Sequence, residues 1–116
     1  MKIGLIDDSV VLRSAIRNVL ESFGHQVILE AGNSTDLFAK LAKETPDVVL
    51  LDVFFPTENG LDILARLRKQ YPHVKVLVVT GLKQETIVKE AKRLGAHGVL
   101  YKPFDTDELL NALKQM

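Results

Sequence analysis

The chain has 116 residues, enough for one domain with a real core and hardly more. Fifteen basic residues balance fifteen acidic ones, and there is no cysteine. This excludes disulfides, thiolate metal sites and a cysteine nucleophile, and it leaves no strong global field for nucleic acid or an anionic membrane. The opening Met1-Lys2-Ile3-Gly4-Leu5-Ile6-Asp7-Asp8 turns acidic too early for a signal peptide. The longest apolar stretch, Val48 to Phe55, is interrupted by Asp52 and is too short to span a bilayer. The expectation is a single soluble, cytoplasmic domain over residues 1–116.

Short apolar runs alternate with segments of helical spacing. Ile3–Ile6 reads as a first strand, followed by a helical stripe of Leu12, Ile16, Val19, Leu20 and Phe23. Val27–Leu29 reads as a second strand, followed by Leu37, Phe38, Leu41 and Ala42. Val48–Leu51 is the third, followed by Leu61, Leu64 and Leu67. Val74–Val79 is the fourth, followed by Ile87, Val88, Ala91 and Leu94. Val99–Tyr101 is the fifth, followed by Leu109, Leu110 and Leu113. Runs that are apolar throughout are what strands look like when both faces are covered.

The punctuation agrees. Ser9, Ser34 and Asp105 can cap helix starts, and Asp105 with Glu108 has capping-box spacing. Gly24 and Gly95 stand where helix ends want a left-handed residue, and Pro46 and Pro72 precede strands. Five strand–helix units pair in parallel through right-handed crossovers, which predicts an α/β sheet covered on both faces. For five strands the natural doubly wound order is 2-1-3-4-5, the flavodoxin-like arrangement, with five helices. Ligands in such sheets bind beyond the carboxyl ends of the strands, at the switch point between the first and third.

The residues at those ends are polar. Asp7 and Asp8 follow the first strand, Asp52 the third, Thr80 the fourth and Lys102 the fifth, while the second contributes nothing obvious. Taken singly, each has a bland reading as a cap, a strand-end hydroxyl or a solvated lysine. Asp52 resists it, because a carboxylate inside so apolar a stretch is costly to desolvate without compensation. Two unit charges ~4 Å apart at an effective dielectric near 20 cost about 4 kcal/mol, so a clustered set takes up a proton or a cation. An all-oxygen donor set favours a hard cation such as magnesium. Magnesium, a lysine and a hydroxyl suit a phosphoryl group, and one carboxylate can attack phosphorus.

Several motifs in order carry a family likeness. They are Ile6-Asp7-Asp8-Ser9 followed by Leu12-Arg13; Pro46-Asp47-Val48-Val49-Leu50-Leu51-Asp52; Pro56 and Gly60; Thr80; and Leu94-Gly95-Ala96 leading to Lys102-Pro103-Phe104. Along essentially its whole length the chain resembles the receiver domain of two-component response regulators. The resemblance implies that Asp52 accepts a phosphoryl group from a phosphohistidine of a sensor histidine kinase or phosphotransfer protein. It implies Asp8, Asp52 and the backbone carbonyl of Phe54 as magnesium ligands, with Asp7 acting largely through water. Lys102 would contact the phosphoryl oxygens, Thr80 would swing toward them, and the Lys102–Pro103 bond would be cis. A downstream effector would dock on the fourth helix, fifth strand and fifth helix, with the protein a monomer or a phosphorylation-dependent dimer. Phosphotransfer and autodephosphorylation would be self-catalysed, without conventional turnover.

Two departures stand out. The family's aromatic switch position is Val99 here; Tyr101, of the same strand parity, is expected to take over part of that role unless the switch runs without an aromatic. Phe54 and Leu82, two residues after Asp52 and Thr80, are apolar where the family is often polar, which predicts a long-lived phosphorylated state. His25, His73 and His97 fall in loops without ligand spacing. Lys89, Lys92 and Arg93 make the outer face of the fourth helix basic, read as solvated rather than as a docking face. A binding module that is never phosphorylated is the alternative. A magnesium-dependent phosphatase of similar fold is disfavoured by Phe54, because that class carries an acid two residues after its nucleophile.

Overall fold

The computed structural model describes residues 1–81 and 84–116. Among these residues the chain runs β1 (Lys2–Ile6), α1 (Val10–Ser22), β2 (Gln26–Ala31), α2 (Ser34–Leu41), β3 (Val48–Asp52), α3 (Gly60–Gln70), β4 (Lys75–Thr80), α4 (Glu85–Arg93), β5 (Gly98–Tyr101) and α5 (Thr106–Lys114). All strand pairs are parallel, in the order β2-β1-β3-β4-β5. This is the expected doubly wound sheet, and the chain reverses direction between β1 and β3.

Strand parity sorts the core into two layers. Val49, Leu51, Val76 and Val78 pack with Leu37 and Phe38 of α2, Ile63, Leu64 and Leu67 of α3, and Ala91 of α4. Val48, Leu50, Leu77, Val79 and Leu100 pack with Ile16 and Leu20 of α1 and Leu109 and Leu113 of α5. Each fully buried aliphatic side chain contributes roughly 1.5–3 kcal/mol. β3 is buried at all five positions, as a central strand should be, whereas edge strand β2 starts exposed at Gln26 and then alternates between buried and half-buried residues.

Local chemistry sets the boundaries. Ser9 caps α1 by accepting from the Leu12 N–H, and Asp105 and Glu108 form a reciprocal capping box on α5. Gly24 and Gly95 take positive φ, 86° and 101°, just past the ends of α1 and α4. Two expectations shift. Asn33, not Ser34, caps α2, since its side chain accepts from the Asp36 N–H and Ser34 becomes the first helical residue. Phe23 is exposed, because α1 ends at Ser22 and the stripe no longer governs where Phe23 points.

The basic face expected on α4 is largely neutralised. Lys89 pairs with Glu85 at 3.0 Å, and Arg93 pairs with Glu90. The helix buries only Ala91 fully. The histidines prove structural where they are engaged: the His97 ring accepts the Val76 N–H at 3.1 Å, and His25 meets the N-terminal amine at 3.2 Å. Among the described residues no helix is long and apolar enough to cross a membrane.

Candidate functional site

The carboxyl edge of the sheet gathers most of the polar residues expected there. Asp7 and Asp52 are each 6 % exposed and Thr80 is 0 % exposed; with every other described polar side chain less buried, these three stand apart. Asp8 is exposed at the mouth. Carboxylate oxygens of Asp7, Asp8 and Asp52 lie within 4.8 Å of one another. Lys102 reaches in from the end of β5, its Nζ 3.1 Å from Asp7 Oδ2 and 3.2 Å from Asp52 Oδ2. The other Asp52 oxygen, Oδ1, accepts the Phe54 N–H at 3.1 Å. The nucleophile candidate is therefore held on both oxygens.

Three carboxylates face one lysine, and the electrostatics follow. Asp52 is pushed above the usual carboxylate range, chiefly by burial and further by Asp7; the Phe54 N–H and Lys102 oppose this without prevailing. Burial works against the Lys102 charge, but Asp52 and Asp7 together raise its pKa above that of an ordinary lysine. A cation held by the three carboxylates would relieve this imbalance, and their all-oxygen donor set fits a hard divalent ion such as Mg2+.

The backbone around the cluster is tied from several sides. Asp7 Oδ1 accepts the Ser9 N–H at 2.8 Å, and the Asp7 N–H donates to the Ala31 carbonyl at 3.1 Å. Arg13 donates from Nη1 to the Asp7 carbonyl at 2.6 Å, with its Nε 3.6 Å from Glu30 of β2. The second strand, whose sequence offers nothing obvious at this edge, thus steadies the loop that carries Asp7. The Lys102 N–H donates to the Thr80 carbonyl at 2.8 Å, and the Lys102–Pro103 bond is cis.

Beyond Asp52 the chain turns tightly. Phe54, 43 % exposed, bridges Asn59 in antiparallel fashion, and the Gly60 N–H donates to the Val53 carbonyl at 3.1 Å. A Cβ on Gly60 would stand 2.5 Å from the Val53 oxygen and 2.6 Å from its carbonyl carbon, so only glycine lets α3 begin this close to β3. Glu58 reaches out of the same loop and accepts the Ser34 N–H at 2.9 Å. No short-range pattern announces a pairing across 24 residues, and the sequence reading passed over it.

Tyr101 sits opposite Thr80 in the β4–β5 register and is half-buried. Val99 packs on the α2–α3–α4 layer beside Ile87 and Leu94. Leu82 lies outside the described residues.

A doubly wound sheet with three aspartates and a lysine at its carboxyl edge defines the receiver class of signalling domain. The model of the response regulator receiver domain matches residues 3–114, and the chain belongs to that family. It is 31% identical to the chemotaxis protein CheY of Listeria monocytogenes over 99% of this chain and 97% of that protein. It is 33% identical to the sporulation initiation phosphotransferase F of Bacillus subtilis, over 98% of this chain and 91% of that one. Among solved structures, the chemotaxis protein CheY4 of Vibrio cholerae superposes with a TM-score of 0.89 at 29% identity, covering 98% of this chain and 96% of its own.

Proposed function

We propose that this receiver domain is a phosphorylation-driven switch that takes a phosphoryl group from a phosphohistidine onto Asp52. The observation that carries the reading is Asp52 itself. It is buried at the end of β3, oriented through both oxygens by Phe54 and Lys102, and lies within reach of two further carboxylates.

Asp7, Asp8, Asp52 and the Phe54 carbonyl would hold Mg2+, which when bound supplies positive charge for the phosphoryl oxygens. The phosphohistidine comes from a sensor histidine kinase or a phosphotransfer protein. An Asp52 oxygen attacks its phosphorus. The new O–P bond forms as the N–P bond breaks, and the imidazole keeps the electron pair and takes a proton from solvent. Lys102 balances charge on the transferred group. In the reverse phase water attacks phosphorus, loses a proton to solvent, and the electron pair of the broken bond returns to the Asp52 carboxylate.

Thr80 and Tyr101, paired across β4 and β5, are positioned to bias the α4–β5–α5 surface between two populations, and a downstream effector reads the difference. The domain acts in the cytoplasm and turns over nothing but its own phosphate.

The test is intact mass after treatment with a small phosphodonor and Mg2+. The wild type gains one phosphoryl group, and Asp52→Asn gains none. An adduct on both proteins, or on neither, overturns the proposal.

Phe54 sets the lifetime of the product. Its exposed ring stands two residues from the acceptor and offers an attacking water no hydrogen bond. Phe54→Asn speeds loss of the phosphoryl group several-fold in a time course of intact mass. An unchanged half-life removes Phe54 from this role.

A further inference from the structure

Glu58 lies outside the acidic cluster, yet its carboxylate is engaged across the fold. Its Oε2 accepts the N–H of Ser34, the first residue of α2, at 2.9 Å. That N–H is one of the orphan donors of a helix start, and a carboxylate there also meets the positive end of the helix dipole. Asn33 already serves the Asp36 N–H at the same terminus, so Glu58 is not the cap that α2 needs in order to form. It does something the cap does not: it anchors the β3–α3 loop to a neighbouring element.

The other hydrogen bonds of that loop stay close by, among its own residues and at the start of α3, while Val53 and Phe55 pack on the α2–α3–α4 layer. Phe54 bridges Asn59, the Gly60 N–H meets the Val53 carbonyl, and the Asn59 side chain caps α3 through the Leu61 N–H. The loop also carries Phe54, whose N–H orients Asp52 Oδ1 and whose carbonyl is the expected metal ligand. Meanwhile the end of β2, just before the connection to α2, is fastened to the other side of the site, since the Ala31 carbonyl accepts the Asp7 N–H. The start of α2 thus stands between the loop carrying Asp7 and the loop following Asp52, with Glu58 closing the second link.

We infer that Glu58 is a positioning residue for the phosphoacceptor site, clamping the 53–59 loop onto the N-terminus of α2 so that the Phe54 N–H stays aligned with Asp52. The inference rests on the phosphoacceptor reading for its functional consequence, whereas the clamp itself can be measured without metal or phosphate.

The experiment compares the full chain with Glu58→Ala, Glu58→Gln and Asn33→Ala. Amide hydrogen exchange at Phe54 is followed by NMR in metal-free protein, and Mg2+ affinity by calorimetry. Glu58→Ala exchanges the Phe54 amide about tenfold faster and binds Mg2+ about tenfold more weakly. Glu58→Gln, which keeps an oxygen acceptor, recovers most of both. Asn33→Ala weakens the same helix terminus and lowers the melting temperature but leaves both readings near wild type. Unchanged exchange at Phe54 in Glu58→Ala overturns the clamp, and so does an equal rise in Asn33→Ala. A wild type that binds no Mg2+ and takes up no phosphate overturns the phosphoacceptor reading instead, and the exchange data still decide on the clamp.

Discussion

Replacing Asp52 with asparagine makes the metal-free protein more stable at neutral pH and raises its melting temperature. The charged carboxylate is buried beside Asp7 and Asp8 with Lys102 as its near counter-charge, and burial is the larger cost. Asparagine keeps an oxygen for the Phe54 N–H and removes the charge. The pH dependence has a definite sign. The folded pKa of Asp52 is raised above its unfolded value near about 3.9. Its contribution is therefore fully favourable below that value and is lost as pH rises through the folded pKa. The stability gap between Asp52→Asn and wild type is widest at neutral pH and closes toward pH ~4. Saturating Mg2+ narrows or reverses it, since the ion stabilises only the folded form that binds it. Thermal melts of both proteins across pH, with chelator and with Mg2+, read all three effects. A wild type more stable than Asp52→Asn in chelator at pH 7 would show that Lys102 overcompensates the acceptor's burial.

Gly60→Ala is the most damaging small substitution at this edge. Helix propensity alone favours alanine over glycine by about 1 kcal/mol within a helix. Geometry opposes it: the added methyl would lie 2.5 Å from the Val53 oxygen and closer still to its Cα, all of it rigid backbone. Overpacking against backbone costs about 3 kcal/mol, so the net change is a loss of about 2 kcal/mol, or roughly 8 °C. The strain falls where β3 hands over to the loop holding Phe54, so Mg2+ affinity falls with stability. A melting temperature equal to or above wild type would show that α3 can retreat from β3 without cost.

How much of this was legible in the sequence depends on the range of the interaction. Asp52 stood out because it breaks an apolar run, and the 2-1-3-4-5 order follows from period switching and crossover handedness, both local or general rules. Asp7, Thr80 and Lys102 were placed by the same logic, as residues at strand ends. The misses share a physical cause. Asn33 displaced Ser34 as a cap because the chain selects between adjacent polar residues by backbone angles that sequence does not display. The basic residues of α4 were counted without the Glu85 and Glu90 that neutralise two of them one turn away. The pairing of Arg13 with Glu30 and that of Glu58 with Ser34 exist only once the fold has brought distant segments together. Gly60 was visible as a motif residue, but its reason, the Val53 backbone, was not.

The alternation of the strands has one more consequence. Leu50 and Leu100 face α1 and α5, so Asp52 and Lys102, two residues further along, continue on that side. Val78 and Val99 face α3 and α4, so Thr80 and Tyr101 continue on the other. The sheet is thus a bulkhead, with the Asp52 and Lys102 side chains in one compartment and those of Thr80 and Tyr101 in the other. A rung lies within it, the hydrogen bond from the Lys102 N–H to the Thr80 carbonyl. Lys102 and Thr80 are neighbours through their backbones, even though their side chains continue on opposite faces.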